Sequence, residues 1–344
     1  MDPAASPPIG LDVDAVSAWL VRHLDVDLPL QATRLAGGRS NLTYLLTEAT
    51  GRRMVLRRPP LGDLPATAHD VLREARLLEG VTGQVPVPRI LTRCPDPAVT
   101  GAPFFVMEHL DGHVVRDPDS AGEFPAAVRK AVGPSLVDAL VALHGVDPER
   151  LGLGDLTKRR DYAERQLRRW QRNWEATRTR DLPDLDRAHA WLVEHVPEQH
   201  RTGIVHGDFR LDNCVLGRDG TVLGILDWEL STVGDPLADL GQLLVYWAEP
   251  DDEFTALHSP PTRTPGYASR EELRSRYLTV TGADPAEVAY FVVFNWWKTA
   301  CIVEDVYSRM LRGAMGASDR SPESFGEQAR GLAAKACQEA SRLG

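Results

Sequence analysis

The chain has 344 residues, of which 43% are hydrophobic and 26% are charged, and its formal net charge is −10. This length suffices for two lobes with a sizeable core, and the composition is that of an ordinary soluble protein. The negative charge argues against a nucleic-acid partner held by overall charge. No membrane partner is expected either, because the most apolar segment, residues 289–303, is too short to span a bilayer.

The cysteines and the N-terminal residues indicate the cellular compartment of the protein. No two cysteines have the spacing of a metal site or a redox motif; they are Cys94, Cys214, Cys301 and Cys337. Reduced thiols and a cytoplasmic protein are therefore expected. Residues 1–10 are rich in Pro and Ala and lack the basic start of a secretory signal. We interpret them as a disordered leader.

The next part of the chain favours strands around a glycine loop. Residues 12–24 have helical periodicity, whereas residues 31–47 and 52–58 favour strands. Residues 31–47 would form two strands, and the turn between these two contains Gly38, Ser40 and Asn41 in a Gly-Gly-Arg-Ser-Asn loop. Backbone N–H groups of such a loop suit nucleotide phosphates. The alternative is a plain two-glycine turn.

Helices and strands follow in a mixed order. A helix is predicted from residue 70 to 79, an apolar strand over residues 104–107, and an amphipathic helix over residues 136–144. Further helices are predicted over residues 270–281 and 286–312, and the tail ends in an Ala-rich helix. A surface loop is predicted over residues 251–267. The apolar residues Trp296 and Trp297 favour a buried helix.

Residues 158–180 stand out by charge. They contain nine basic and three acidic residues, a local net charge of +6 in an acidic chain. Trp170 and Trp174 lie four residues apart, on one face of a predicted helix. One interpretation is an amphipathic helix with buried tryptophans and solvated arginines. The other is a surface that attracts an anionic acceptor.

The most informative stretch is residues 206–229. It reads His-Gly-Asp-Phe-Arg-Leu-Asp-Asn, then a turn between two apolar runs, then Asp-Trp-Glu. Asp208, Asn213 and Asp227 have the spacing of a phosphoryl-transfer catalytic loop. A hairpin between Asn213 and Asp227 would bring these two oxygen ligands close together, and such a pair suits Mg²⁺. Asp208 would then orient an acceptor hydroxyl and take its proton.

These motifs resemble the aminoglycoside phosphotransferase and choline kinase-like family. Gly234 to Leu240, Gly-Asp-Pro-Leu-Ala-Asp-Leu, looks like the usual continuation. The match is closest to the subgroup that resembles the kinase domain fused to acyl-CoA dehydrogenases. The resemblance covers roughly residues 30–312 and implies an α+β, two-lobed protein-kinase-like fold. The small lobe would hold an antiparallel sheet plus a helix, and the larger, mainly helical lobe the catalytic hairpin.

The resemblance also implies domains. The N-terminal lobe, which binds nucleotide, would span residues 11–107, and the hinge residues 108–112. The C-terminal lobe, with the catalytic loop and the acceptor site, would span residues 113–344. Backbone groups from Glu108 to Leu110 would meet adenine.

Roles carry over to matching residues. Asp208 would be catalytic, and Asn213 and Asp227 would be the metal ligands. Arg57 stands where the family usually has a phosphate-binding Lys, and Glu74 resembles its helix partner. Arg57 can still hold phosphate, but Arg58 is adjacent and faces the other way if the strand continues.

The sequence thus predicts an ATP- and Mg²⁺-dependent kinase of a small-molecule hydroxyl. The basic segment and the subgroup favour a CoA-linked acceptor, a hydroxyacyl-CoA. Candidate acceptor residues are Arg210, Trp170, Trp174 and Lys298, and the alternative for Lys298 is a snorkelling lysine or a structural ion-pair partner. The alternatives are an antibiotic phosphotransferase, acting on an aminoglycoside or a macrolide, and a nucleotide-binding pseudokinase. The sequence leaves the choice of ATP or GTP and the oligomeric state open.

Overall fold

A computed structural model describes residues 9–35, 41–62, 70–151, 161–314 and 320–344. The chain divides into two compact units. The first unit comprises the described residues up to Gly112 together with Leu223–Leu230, and the second comprises the remainder. Most of the predicted leader lies outside the described residues, as do Gly38 and Ser40 of the predicted phosphate loop.

The first unit is built on an antiparallel sheet. Its strands are β1 (Gln31–Arg34), β2 (Leu42–Thr47), β3 (Arg53–Arg58), β4 (Ile90–Cys94) and β5 (Phe104–Glu108). They lie in the order β1-β2-β3-β5-β4, and neighbouring strands are antiparallel. Two α-helices accompany the sheet, α1 (Val13–Leu20) and α2 (Val71–Val81).

The two faces of this sheet have different partners. Tyr44 of β2 and Leu56 of β3 are opposite each other and fully buried, in one core with Val16 and Leu20 of α1. Successive side chains of a strand point to opposite faces. Arg57 therefore lies on the face away from that core, and this placement matters for the site described below.

The second unit is mainly helical. Its α-helices are α3 (Pro118–Gly122), α4 (Ala126–His144), α5 (Tyr162–Thr177), α6 (Pro183–Glu194), α7 (Leu237–Tyr246), α8 (Arg270–Thr281), α9 (Pro285–Leu311) and α10 (Pro322–Leu343). Two short strands, β6 (Gly203–Val205) and β9 (Thr232–Gly234), pair antiparallel. After β7 (Cys214–Leu216), a turn is closed by the Gly217 N–H, which donates to the Thr221 carbonyl at 2.8 Å. Strand β8 (Val222–Ile225) follows that turn in the sequence, and from Leu223 onward it belongs to the first unit.

Helices α7 and α9 pack unusually closely. A Cβ atom on Gly241 would lie 2.6 Å from the Phe291 carbonyl oxygen, so only glycine allows this approach. The Asn295 side-chain amide donates to the Ala238 carbonyl at 3.0 Å and links the two helices. This contact fixes the spacing of α7 and α9, which both carry polar residues toward the catalytic loop.

Several predicted elements differ from the observed ones. The helix predicted over residues 270–281 has those bounds, and the one predicted over residues 286–312 is shifted by one residue. Helix α4 begins at Ala126, ten residues before the predicted start, and it accommodates Pro134 in its interior. The predicted loop 251–267 contains a buried segment, Pro260 to Thr262, so it is only partly a surface loop.

The described residues contain no helix that is both long and apolar enough to cross a membrane. All four cysteines are free, and all but the partly exposed Cys337 are buried. The cytoplasmic location stays a prediction.

Asp235, just before α7, should make stability depend on pH. It is 7% exposed, and burial raises its pKa to about 6, although the Leu237 N–H donates to its carboxylate at 3.0 Å. The raised pKa therefore leaves the free energy of unfolding undiminished below about pH 4. The free energy of unfolding then falls as the pH rises through 6 and the buried carboxyl group ionises. Asp235→Asn keeps the acceptor oxygen without the charge, so it should stabilise the protein at pH 8 by roughly 3 kcal/mol.

Urea denaturation of wild type and Asp235→Asn at pH 4 and pH 8 checks this prediction. The two proteins should be nearly equal at pH 4 and should separate at pH 8. The same difference at both pH values would show that the carboxylate does not titrate as described.

Candidate functional site

Arg57 is the centre of a charged cluster in the first unit. Its Nε donates to Glu74 Oε2 at 3.0 Å, and its Nη2 donates to Asp227 Oδ1 at 2.5 Å. Glu229 Oε2 lies 3.8 Å from the same Nη2. We call Arg57, Glu74, Asp227 and Glu229 the Arg57 cluster. The predicted ion pair between Arg57 and Glu74 is confirmed.

Burial governs the electrostatics of this cluster. Glu74 is 3% exposed, and burial raises the pKa of its carboxyl group while Arg57 opposes that rise. Burial by itself would lower the pKa of Arg57, but Glu74 and Asp227 raise it overall, so the guanidinium stays charged. A charged Arg57 can therefore compensate several carboxylates at once.

Arg58 has a different role from its neighbour. It is 3% exposed and donates to the Thr100 carbonyl at 2.6 Å and to the Gly10 carbonyl. Both bonds anchor loops of the first unit. The alternation of the strand therefore makes Arg57, and not Arg58, the partner of Glu74.

Asp227 has an unusual backbone. Its φ of +65° lies in the left-handed region, which non-glycine residues seldom adopt and which Asp and Asn tolerate best. It follows the apolar end of β8, and the Trp228 indole N–H donates to the Ile225 carbonyl at 3.0 Å. This tight turn holds the Asp227 carboxylate at Arg57, and 36% of the Asp227 side chain remains exposed.

The other nucleotide-site candidates of the first unit lie on its loops and at the end of β5. The Asn41 side chain donates to Glu229 Oε2 at 3.2 Å, which joins it to the Arg57 cluster. The Glu108 N–H donates to the Arg89 carbonyl, and the Leu110 carbonyl accepts from Gly112. The hinge and adenine-binding roles of residues 108–112 stay predictions.

Asp208 is the centre of a second cluster, which belongs to the second unit. Its carboxylate accepts from Gln242 Nε2 at 2.6 Å and from Asn213 Nδ2 at 2.9 Å. Arg210 Nε lies 3.2 Å from the same carboxylate. We call these four residues and Lys298 the Asp208 cluster. A quarter of the Asp208 side chain remains exposed.

The surroundings of Asp208 keep it ionised. Burial pushes its pKa upward, but Arg210, Lys298, His206 and the Asn213 hydrogen bond outweigh burial and lower it below the ordinary value. An ionised carboxylate with exposed surface can orient a hydroxyl and accept its proton.

The loop that carries Asp208 is held through its backbone. Asp239 of α7 accepts the His206 N–H at 2.6 Å and the Gly207 N–H at 2.8 Å. His144 Nδ1 bonds the Tyr277 hydroxyl at 2.7 Å, and its Nε2 lies 3.4 Å from Asp239. Both ring nitrogens of His144 therefore have partners.

Asn213 and Asp227 can each supply a metal-ligating oxygen. The Asn213 amide nitrogen donates to Asp208, which leaves its carbonyl oxygen as the ligating atom. The described residues contain no group of three or more His, Cys, Asp and Glu suited to a metal. A Mg²⁺ site needs fewer protein ligands, because water and phosphate oxygens complete it. The two residues belong to different units, so their predicted proximity stays a prediction.

The four acceptor candidates differ in environment. Trp174 is 1% exposed and packs in the core of the second unit, while Trp170 is half-buried and its ring centroid lies 6.0 Å from Lys298 Nζ. Arg210 pairs with Asp212 at 2.8 Å and lies over the Tyr246 ring. Residues 158–160 of the basic segment lie outside the described residues. The acceptor roles stay predictions.

Sequence reasoning missed Gln242, and it did not assign the backbone contacts of Asp239. Both lie on α7, whose remaining residues are apolar apart from Tyr246. Two polar residues three positions apart in a buried helix lie on one face and need buried partners. The two polar residues on one face of an apolar helix were therefore the sequence feature that could have identified Asp239 and Gln242.

The sheet with α2 and the mainly helical second unit define a protein-kinase-like fold, as predicted. The chain belongs to the APH family of phosphotransferase enzymes, whose family model matches residues 31–290. The family resemblance stated from the motifs is thereby confirmed.

Individual proteins show the same relationship. A Ralstonia eutropha JMP134 structure provisionally named as an aminoglycoside phosphotransferase is 29% identical, with a TM-score of 0.79 and coverage of 96% of this chain and 98% of that chain. The GDP complex of aminoglycoside 2'-phosphotransferase-IIIa shares the fold at 17% identity, with a TM-score of 0.65 and coverage of 94% and 98%. Mouse acyl-CoA dehydrogenase family member 10 is 33% identical over 317 residues, which are 89% of this chain and 30% of the mouse protein. The chain thus spans less than a third of that relative.

Proposed function

We propose that the protein is a Mg²⁺-dependent phosphotransferase that moves the γ-phosphoryl group of ATP to a hydroxyl of a small molecule. The observation that carries this proposal is the Asp208 carboxylate, which is ionised, partly exposed and bonded to Asn213 and Gln242. Membership of a phosphotransferase family supports the same reaction class.

Each residue has a proposed task. Asp208 orients the acceptor hydroxyl and takes its proton as the oxygen attacks the γ-phosphorus atom, while the bond to the β-phosphate oxygen breaks and ADP leaves. Arg57, held by Glu74, binds phosphate oxygens with its planar, permanently charged guanidinium. Residues 38–41 and 108–110 are proposed to bind the nucleotide through backbone groups.

Asn213 and Asp227 are the proposed ligands of Mg²⁺. When bound, the ion neutralises charge on the phosphate oxygens. The side chains of this chain supply an amide oxygen and a carboxylate for it, which are ligands of the type that Mg²⁺ prefers. Asn213 also donates to Asp208, so the same residue links metal binding to the orientation of the base.

For the acceptor we propose a hydroxyacyl-CoA. Support comes from the basic character of residues 158–180 and from the acyl-CoA dehydrogenase name of the mouse relative. Helix α5 carries arginines that can meet phosphate groups, and Trp170 offers a half-buried aromatic face. A polycationic aminoglycoside would meet the same positive charge and be disfavoured.

ADP release with Mg-ATP and a panel of hydroxyacyl-CoAs tests this proposal. The matched control for each acceptor is the acyl-CoA of equal chain length without the hydroxyl. Release should require both the hydroxyl and Mg²⁺. Mg-GTP is tested in parallel, because a structural neighbour is a GDP complex.

Other outcomes would change the assignment. Turnover with an aminoglycoside or a macrolide, and none with the CoA esters, would replace the proposed acceptor class. Tight Mg-nucleotide binding without transfer to any acceptor would support a pseudokinase instead.

A further inference from the structure

Helix α7 presents two buried polar side chains to the catalytic loop. Asp239 is 1% exposed and holds backbone N–H groups of that loop, as described above. Gln242 is 3% exposed and lies one turn further along the same face. A buried side-chain amide needs partners at both ends, and Gln242 has them.

The two ends of the Gln242 amide have different partners. Its Nε2 donates to Asp208 Oδ1 at 2.6 Å, and its Oε1 accepts from Lys298 Nζ at 2.9 Å. A lysine ammonium group can only donate, so it requires the oxygen end of the amide. The ionised Asp208 carboxylate can only accept, so Lys298 and Asp208 both require the same orientation of the amide, with its NH₂ end at Asp208.

Lys298 holds the same loop at a second point. Its Nζ also donates to the Gly207 carbonyl at 3.0 Å. The charged groups around it are Asp208, Asp239, Arg169 and Arg210. Lys298 lies on α9, whose distance from α7 is set by the close contact at Gly241. Both bonds of Lys298 therefore lead to residues that hold Asp208 in place.

We propose that Lys298 and Gln242 form a positioning pair that sets the orientation of the Asp208 carboxylate for catalysis. This inference rests on the proposed function, because the orientation of Asp208 affects catalysis only if Asp208 receives the proton of the acceptor hydroxyl. The pair binds Oδ1, whereas Asn213 binds Oδ2. Lys298 is in this assignment a positioning residue and not an acceptor-binding residue.

A double-mutant cycle tests the pair. Lys298→Met and Gln242→Met keep the side-chain length and remove the polar contacts. Each should lower kcat for ADP release roughly 10- to 100-fold, with the KM for Mg-ATP nearly unchanged. The double variant should fall no further than the worse single variant, because both changes break one chain of contacts. Lys298→Arg, which is also donor-only, should recover part of the loss.

Lys335→Met on α10 is the matched control, since among the described residues Lys335 pairs with Glu339 and Gln338 of its own helix. It should leave kcat unchanged. The positioning pair would be overturned if the decreases in kcat of the two single variants multiplied in the double variant. It would also be overturned if the substitutions changed KM alone.

A crystal structure of Lys298→Met gives a second readout that needs no activity. Without the Lys298 contact, the Gln242 side chain or the Asp208 carboxylate should change its rotamer. An unchanged contact between Gln242 and Asp208 would overturn the proposal even if activity falls. If wild type transfers no phosphoryl group, the proposed function fails, and the crystal structure still decides whether Lys298 orients Asp208.

Discussion

Asp208→Asn is expected to lower kcat for phosphoryl transfer by roughly 10²- to 10⁴-fold, the usual contribution of a positioned base. The substitution retains the shape of the side chain and one of its acceptor oxygens. It removes the negative charge that Arg210 and Lys298 stabilise and the capacity to take a proton. Affinity for Mg-ATP should change little, because the role proposed for Asp208 concerns the acceptor. Steady-state ADP release and nucleotide titration calorimetry measure the two quantities.

Asp219→Asn is the control for this experiment. Asp219 lies in the turn after β7, where its carboxylate accepts from Thr221 at 2.7 Å and is exposed. The same chemical change there should leave kcat unaltered. If Asp208→Asn turned over as fast as Asp219→Asn, Asp208 would not be the base.

Arg57→Met is expected to lower the free energy of unfolding by roughly 3–5 kcal/mol, because it leaves buried Glu74 without its cation. The loss should be larger at pH 8 than at pH 5. Burial already raises the pKa of Glu74, and removing Arg57 raises it further. At lower pH the Glu74 carboxyl group is therefore protonated and its burial costs little, whereas at pH 8 the cost of burying an unpaired charge is larger. Urea denaturation at both pH values measures the effect, and Mg-ATP binding should weaken in the same variant.

Arg53→Met on the same strand is the matched control. Arg53 also pairs with a carboxylate, Asp111, at 3.0 Å, but the two side chains are 42% and 90% exposed. Exposed pairs contribute roughly 0–1 kcal/mol, so this variant should be nearly as stable as wild type. Equal losses in the two variants would show that burial of Glu74 is not what makes Arg57 important.

Local pattern was enough to predict the parts of the fold and site that depend on neighbours in sequence. The alternation of β3 distinguishes Arg57 from Arg58, because successive strand side chains face opposite ways. The catalytic loop was recognisable because Asp208 and Asn213 lie five residues apart on one segment, and their hydrogen bond forms within that segment. Helix α8 has the predicted bounds and begins with a capping box at Ser269 and Glu272.

What the sequence could not predict depends on contacts between distant segments. Gln242 reaches Asp208 across 34 positions, and Lys298 reaches Gln242 across 56. Nothing in the local pattern near Lys298 separates a positioning residue from a surface lysine. Helix α4 begins ten residues before its predicted start and continues through Pro134, whose turn lies in a packed region where Val132 and Leu136 are fully buried.

The most direct test of the central claim is mass spectrometry of the acceptor after incubation with Mg-ATP and the protein. A hydroxyacyl-CoA or another small hydroxyl compound should gain one phosphoryl group, in step with ADP formation, with wild type and not with Asp208→Asn. ADP formed without a phosphorylated acceptor, or equal phosphorylation by Asp208→Asn, would contradict the assignment of Asp208 as the base of a small-molecule phosphotransferase.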